Sequence, residues 1–246
     1  MTDYSKALPE SLYLIGVGPG AADLLTLRAV NVLRSVDIII APRSSAASES
    51  LALNVVRPYL AAQEVVEHIY PMERDAEQTA LCWKQMADLA VARLLQGKSV
   101  AHITIGDPLI YSTCAYLQEQ LSGRVAAEKI HVISGISAMQ ATAARLSTPL
   151  LMQNDRLMLL PADNLAVVEA ALDACETLVV YKIGGRLPAL IELLRLHGLT
   201  QSAQLVSHAE QEKERVFLDL DTLQGERLGY MAVMIVHISR REWKQE

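Results

Sequence analysis

The fold is decided by two stretches of the chain, LYLIGVGPG at residues 12–20 and VAHITIGDP at residues 100–108. Each begins as an apolar run of strand length, ends in a turn that contains glycine and proline, and leads into a segment with helical periodicity. Strands that are apolar throughout are typical of parallel sheets, which helices cover on both faces. Because ligands of such sheets bind beyond the carboxyl ends of the strands, the two turns together predict a small-molecule site.

The first part of the chain alternates strands with helices, which predicts a doubly wound α/β domain with a parallel five-stranded sheet and helices on both faces. The predicted strands are residues 12–15, 36–41, 64–70, 100–105 and 129–134. The predicted helices are residues 24–35, 76–96, 111–121 and 137–146.

The pattern changes after Thr148 and Pro149, which predicts a second, α+β domain with a mixed sheet. Its predicted strands are residues 156–160, 177–181, 204–207, 215–219 and 231–238, and its predicted helices are residues 165–174 and 187–197. We therefore expect an N-terminal domain of residues 1–147 and a C-terminal domain of residues 148–246.

Composition limits the classes of protein to consider. The 246 residues carry a formal net charge of −6 and contain three cysteines, without the basic runs of a general nucleic-acid binder or the spacing of a disulfide or metal site. The sequence shows neither a run of about 18 apolar residues nor an apolar leader. We expect a cytoplasmic protein that binds no metal, no membrane and no nucleic acid.

Each candidate motif also has a purely structural interpretation. The glycines at residues 16–20 suit close approach to a ligand or only a tight turn, and their spacing is not that of the dinucleotide fingerprint. Asp107 is either a ligand contact or a turn former, and Ser112 is either a ligand contact or a helix cap. His102 and His237 lie in apolar strands and are predicted to be hydrogen-bonded core residues. No catalytic constellation is recognisable, so no catalytic residue is assigned.

The ordered set of motifs resembles the tetrapyrrole methylases, the S-adenosylmethionine-dependent enzymes of corrin and sirohaem synthesis. The resemblance covers residues 12–239 and rests on GVGPG at 16–20 with LLT at 24–26, GDP at 106–108, GISA at 135–138 and VVYK at 179–182. Within the family, APR at 41–43, YPMERD at 70–75, GDPLIYST at 106–113 and AARL at 143–146 resemble the enzymes that methylate C20 of precorrin-2 or of its cobalt counterpart.

The resemblance implies a tetrapyrrole methylase fold with an active-site trough between two domains, a homodimer, S-adenosylmethionine as methyl donor and a tetrapyrrole, precorrin-2, as substrate. The residues that it places at the methyl donor are Pro19, Ile105, Gly106, Asp107, Ile110, Tyr111, Ser112, Ser137, Ala138, Lys182 and Ala209. Because guanidinium groups pair with carboxylates, four arginines are candidates for the acidic side chains of the substrate, namely Arg43, Arg74, Arg145 and Arg186. Arg43 and Arg145 rank first among them. Ser134 and Ser137 depart from the usual family residues, which are proline and threonine.

Three other functions remain as alternatives. A ribosomal-RNA methylase of the same fold is expected to show a basic surface, which the acidic composition disfavours. A nicotinamide-dependent oxidoreductase needs an acidic residue about 20 positions beyond the glycine loop, where Asp37 falls, but the glycine spacing is unsuitable. A tetrapyrrole carrier would bind the ring without methyl transfer.

Overall fold

A computed structural model of the chain describes residues 4–45, 48–70, 76–223, 226 and 228–238. The chain divides into two compact units, one ending at Ser137 and the other beginning at Ala138. Each unit is built around one five-stranded sheet. Within the described ranges, no helix combines the length and apolarity that crossing a membrane requires.

The first unit contains a wholly parallel sheet with the strand order β3-β2-β4-β1-β5. Its strands are β1 (Leu12–Gly16), β2 (Ile38–Arg43), β3 (Glu64–Ile69), β4 (Val100–Thr104) and β5 (Ile130–Ile133). Its helices are α1 (Leu27–Leu33), α2 (Leu51–Val56), α3 (Ala76–Leu95) and α4 (Thr113–Leu121). From β1 the chain continues to β2 and β3 on one side of the sheet, and from β4 it continues to β5 at the opposite edge. The carboxyl ends of β4 and β1 therefore lie where the strand order reverses.

Both faces of this sheet are covered, as its apolar strands require. Tyr13 and Ile15 of β1 pack in one buried cluster with residues of α1 and α2. Leu12 and Leu14, which alternate with them, pack in a second cluster with residues of α3 and α4. The predicted doubly wound arrangement is confirmed.

Local capping places some helices differently from the prediction. α1 begins at Leu27, not at residue 24, because the Thr26 side chain accepts a hydrogen bond from the amide of Ala29 at 3.2 Å and caps the helix. Leu25 before it is extended, with ψ of 138°. The short helix α2 was not predicted, although Ser50 caps it in the same way through the amide of Leu53.

The second unit contains a mixed sheet, as predicted, and the strand order in it is β6-β7-β10-β8-β9. β6 and β7 are parallel, and the other neighbours are antiparallel. Its strands are β6 (Leu157–Pro161), β7 (Thr177–Tyr181), β8 (Ala203–Ser207), β9 (Arg215–Phe217) and β10 (Ala232–His237). Its helices are α5 (Ala138–Arg145), α6 (Leu165–Ala171) and α7 (Leu187–Leu196).

Helix α5 groups with the second sheet. Ala143 of α5 packs with Val179, Val233 and Ile235 in one cluster, whereas α6 and α7 cover the opposite face. The division between the two units therefore falls before α5, and the predicted domain boundary at residues 147 and 148 falls after it.

A buried histidine joins three elements of the first unit. His102 of β4 is fully buried, and its Nε2 lies 3.0 Å from the hydroxyl of Tyr70, just beyond β3. Its Nδ1 lies 3.3 Å from Sγ of Cys114 in α4. A neutral imidazole has one donor and one acceptor nitrogen, so it can satisfy both neighbours. His237 makes the equivalent contacts in the second unit, with hydroxyls of Thr148 and Thr177. Both histidines are therefore hydrogen-bonded, as predicted, but His102 is fully buried and His237 is only half-buried.

We expect His102 to make the free energy of unfolding fall as the pH is lowered from about 6.5 to about 4. Burial lowers the pKa of His102 to about 4 from its ordinary 6.5, and the charge of His68 adds to this effect. Between those values the unfolded chain takes up a proton that the folded protein excludes, which costs on the order of 3 kcal/mol across the window. Urea unfolding at a series of pH values measures the slope.

The His102→Gln variant is the control for this slope. We expect it to be less stable than the native protein at pH 7.5, since glutamine does not reproduce both contacts, yet to lose less stability between pH 6.5 and pH 4. An unchanged slope in the variant would assign the pH dependence to other groups.

Candidate functional site

Three loops meet at the carboxyl edge of the first sheet. They follow β1, β4 and β5, which are adjacent strands, and they comprise residues 17–20, 105–112 and 134–137. We call them the strand-end loops. Gly18 and Gly106 form a two-way backbone bridge, in which the Gly106 amide donates to the Gly18 carbonyl at 2.7 Å and the Gly18 amide donates to the Gly106 carbonyl at 3.2 Å. Both glycines have positive φ, of 78° and 74°, a conformation that other residues rarely adopt.

Two further glycines allow the loops to touch through their backbones. A Cβ atom on Gly16 would lie 2.5 Å from the Gly106 carbonyl oxygen and 2.7 Å from the Gly135 amide nitrogen. A Cβ atom on Gly135 would lie 2.3 Å from that same oxygen. These separations are far below van der Waals contact. Gly16 and Gly135 therefore serve loop-to-loop packing, which the sequence did not predict.

Asp107 connects two of the loops through its carboxylate. One oxygen, Oδ1, accepts a hydrogen bond from the Leu109 amide at 2.9 Å, as in a turn former. The other oxygen, Oδ2, accepts from the Gly135 amide at 3.1 Å. The turn-forming interpretation of Asp107 is confirmed, and the second bond, across to the loop after β5, was not predicted.

The loop after β4 is also fixed at its two ends. The Ser112 hydroxyl accepts from the Cys114 amide at 3.1 Å, which caps α4, and donates to the Thr104 hydroxyl at 3.1 Å. The capping interpretation of Ser112 is therefore confirmed. Between these ends, Tyr111 has a positive φ of 48° and is 42% exposed. Because a bulky residue rarely adopts this conformation, the surrounding contacts hold the loop in one shape.

The hydrogen bonding of these loops disfavours a phosphate ligand. Dinucleotide sites of parallel sheets direct free amides of the first loop at the pyrophosphate. Here the amide of Val17 donates to the Thr104 carbonyl, the amides of Gly18 and Gly106 donate to each other's carbonyls, and the amide of Gly135 donates to Asp107. Asp107 is also the single charged residue in the strand-end loops, and it is negative. The arrangement suits a neutral or cationic ligand.

The structure brings most of the predicted donor-site residues together on this edge. Each of them lies in a strand-end loop, and they range from buried, as Ser137 is, to half-buried and exposed. They are Pro19, Ile105, Gly106, Asp107, Ile110, Tyr111, Ser112 and Ser137. Their contact with a ligand stays a prediction.

The remaining predicted donor-site residues belong to the second unit. Lys182 directly follows β7 and Ala209 lies just beyond β8, at the edge of the second sheet where β10 begins. Lys182 and His208, which precedes Ala209, both have a positive φ of 54°. Ala138 begins α5, and the amide of the next residue, Met139, donates to the Tyr181 hydroxyl at 2.7 Å. Their role at a ligand stays a prediction.

The candidate arginines differ in how well their charges are paired. Arg43 ends β2, has a side chain only 27% exposed, and lies 3.6 Å from Glu67. Its buried Nε has no hydrogen-bond partner among the described residues. Arg145, by contrast, donates to Glu214 at 2.6 Å. Arg186 is exposed, and Arg74 lies outside the described residues.

Sequence reasoning missed the packing role of several residues of this site. Thr104, Gly16 and Gly135 shape the loops through contacts between residues far apart in the chain, which no local pattern records. The capping role of Thr26 could have been predicted, because a threonine before an apolar helical repeat is a recognised cap signal. In the part of the chain that the structure covers, no group of three or more His, Cys, Asp or Glu side chains is arranged to hold a metal ion.

Comparison with known proteins points to one family. The family model described as Tetrapyrrole (Corrin/Porphyrin) Methylases matches residues 11–224. The cobalt-precorrin-2 C(20)-methyltransferase of Salmonella typhimurium is 31% identical to the chain, over 95% of this chain and 97% of the relative. A probable enzyme of the same name from Methanocaldococcus jannaschii is 33% identical over 71% and 73%. The precorrin-2 C(20)-methyltransferase of a Sinorhizobium species is 28% identical over 90% and 93%.

Solved structures share the fold. A cobalt precorrin-4 methyltransferase superposes with a TM-score of 0.70 at 18% identity, covering 96% of this chain and 97% of that one. The uroporphyrin-III C-methyltransferase of Thermus thermophilus, solved in complex with S-adenosylhomocysteine, gives a TM-score of 0.64 at 20% identity, over 92% and 96%. At these identities, the superpositions show a common architecture.

We expect the Gly135→Ala substitution to destabilise the first unit by about 1–3 kcal/mol, because the new methyl group would overlap the Gly106 carbonyl and force the loops apart. Gly185→Ala is the matched control, since a Cβ atom there meets no atom within 4 Å. We expect the control to change stability by less than about 0.5 kcal/mol. Urea unfolding midpoints measure both, and an equal effect of the two substitutions would contradict the packing role of Gly135.

Proposed function

The chain belongs to the tetrapyrrole (corrin/porphyrin) methylases, and we propose that it transfers a methyl group from S-adenosylmethionine to C20 of the precorrin-2 ring in cobalamin biosynthesis. The observation that carries the proposal is the 31% identity with a C20-methyltransferase of the family over nearly the full length of both chains. A second relative named for the same ring position, from Sinorhizobium, also aligns over most of its length. Acceptors other than this ring carbon are correspondingly disfavoured.

The strand-end loops fit S-adenosylmethionine as the methyl donor. This molecule carries a positive sulfonium and a flat adenine ring but no phosphate. The loops use the amides of Val17, Gly18, Gly106 and Gly135 internally and contain a single negative side chain, that of Asp107. Half-buried Ile105 and Ile110 offer apolar surface beside them. The same features argue against the nicotinamide-dependent alternative.

In the mechanism we propose, the chain acts by orientation. Bound S-adenosylmethionine supplies an electrophilic methyl group, and the ring supplies an electron-rich carbon. The loops contribute by holding their side chains in one fixed shape, because their backbones are hydrogen-bonded to one another and to β4. Holding two reactants in line can contribute on the order of 7–11 kcal/mol to lowering a barrier.

Arg43 is the side chain we propose as an anchor for a carboxylate of the substrate. The precorrin ring carries several acidic side chains, and a guanidinium binds a carboxylate through two parallel hydrogen bonds. Arg43 is mostly buried, and its carboxylate neighbour, Glu67, lies 3.6 Å away, beyond direct hydrogen-bonding distance, so the exposed part of the guanidinium can still pair with a ligand. Arg43 ends β2, so it lies at the same sheet edge as the strand-end loops. Arg145 stays a prediction, with its charge already paired to Glu214.

A second candidate acceptor is the cobalt-containing ring. The relatives from Salmonella and Methanocaldococcus, at 31% and 33% identity, are both named for cobalt-precorrin-2. The metal-free and cobalt-bearing rings share their peripheral carboxylates. Measuring methyl transfer to each ring separately is therefore needed to tell which of the two is the substrate.

We expect anaerobic incubation with S-adenosylmethionine and precorrin-2, or its cobalt complex, to yield a product one methyl group heavier, with the new methyl at C20. Mass spectrometry measures the addition, and NMR locates the carbon. The acceptor with the higher kcat/KM identifies the natural substrate. Tight binding of either ring without transfer would support a carrier instead.

We expect Arg43→Gln to raise the KM for the tetrapyrrole by about ten- to a hundredfold, because hydrogen bonds to charged groups contribute about 1.5–3 kcal/mol. The affinity for S-adenosylmethionine is expected to stay unchanged. Arg93→Gln is the matched control, since Arg93 has a similarly buried side chain but pairs with Glu64 at the amino end of β3. An unchanged KM in the Arg43 variant would remove Arg43 from the substrate site.

A further inference from the structure

The carboxylate of Asp107 accepts two backbone hydrogen bonds from two different loops. Its Oδ1 accepts from Leu109 within its own loop at 2.9 Å, and its Oδ2 accepts from Gly135 in the loop after β5 at 3.1 Å. The two loops that it joins follow strands β4 and β5, which are separated in the sheet by β1. The two loops therefore come together beyond the end of β1, where this side chain links them.

We propose that Asp107 is a positioning residue, which sets the distance between the loops after β4 and β5 and so shapes the donor site between them. This inference rests on the proposed function for the identity of the ligand. In it, the carboxylate acts through the loop backbones and does not accept the C20 proton.

The hydrogen-bond pattern supports positioning over proton transfer. Both oxygens act as acceptors, as in an ionised carboxylate whose two oxygens each accept an amide hydrogen. Taking up a proton on Oδ2 would set an O–H group against the Gly135 N–H group, and the bond between the loops would be lost. A base in this place would open the site each time it acted.

The surroundings explain why this one bond matters. The loop after β5 meets the other two through Gly16 and Gly106, and a Cβ atom at Gly135 would approach the Gly106 carbonyl to 2.3 Å. That carbonyl also accepts the amide of Gly18. The Gly135 amide is thus a donor that ties its loop to the loop after β4, and Asp107 is its acceptor. Beyond it, Ser137 is buried and begins the approach to α5.

The test compares Asp107→Asn with Asp219→Asn. Asparagine retains one acceptor oxygen, so one of the two amides at residue 107 loses its partner. Asp219 is the matched control, because its Oδ1 accepts from the amide two residues ahead, at 2.9 Å, as Asp107 does from Leu109. Asp219 lies in the second unit and joins no strand-end loops.

We expect the Asp107→Asn variant to bind S-adenosylmethionine about tenfold more weakly by calorimetry, well below its unfolding temperature. We expect kcat at saturating donor to stay within about threefold of the native value, with an unchanged pH profile. In amide hydrogen exchange, Gly135 should lose protection in this variant and keep it in the Asp219→Asn control.

Three results would overturn the proposal. One is native donor affinity together with native protection of Gly135 in the Asp107→Asn variant. Another is a fall in kcat of a hundredfold or more with an altered pH profile, which is the signature of a base. The third is a lower thermal stability of the variant with unchanged affinity for S-adenosylmethionine, which would indicate a purely structural role. If the native protein itself binds no S-adenosylmethionine, the proposed function fails, and the exchange of Gly135 in the two variants still decides whether Asp107 joins the loops.

Discussion

The backbone contact between the loops after β1, β4 and β5 is the constraint on which the site depends. Gly18 and Gly106 exchange two hydrogen bonds, and Gly16 and Gly135 come so close that neither position has room for a Cβ atom. Three chain segments can meet in this way only if their strands are neighbours and parallel. The strand order therefore brings the three loops together, and glycine is required at the positions where their backbones touch.

This contact also decides which ligands the edge suits. In a dinucleotide-binding sheet the amides of the first loop are left for phosphate oxygens, whereas here the amides of Val17 and Gly18 donate to carbonyls of Thr104 and Gly106. What remains is a rigid, largely apolar rim with one carboxylate, that of Asp107. A rim of this kind suits a cationic donor such as S-adenosylmethionine. The same α/β architecture thus serves different chemistry through the partners of a few backbone amides.

The polar groups around the loops divide into satisfied and unsatisfied ones. His102, Ser112 and Thr104 are paired within the interior and fix the start of α4 against β4. Arg43, at the end of β2, is mostly buried and has a carboxylate neighbour only at 3.6 Å. A charge held in this state costs free energy unless a ligand completes its pairing. The paired residues therefore build the site, whereas Arg43 is suited to bind the substrate.

The sequence by itself determined the class of the fold, the family, the identity of the motifs and the burial of His102. Apolar strands, helical periodicity and turn residues are local signals, and they carry this information without tertiary contacts. The sequence did not determine that the motif glycines serve loop packing, that Asp107 bridges to Gly135, or that Arg43 and Arg145 differ in their pairing. These were decided only by the tertiary structure, because each depends on which distant backbone amide or carboxylate the folded sheet brings within hydrogen-bonding distance.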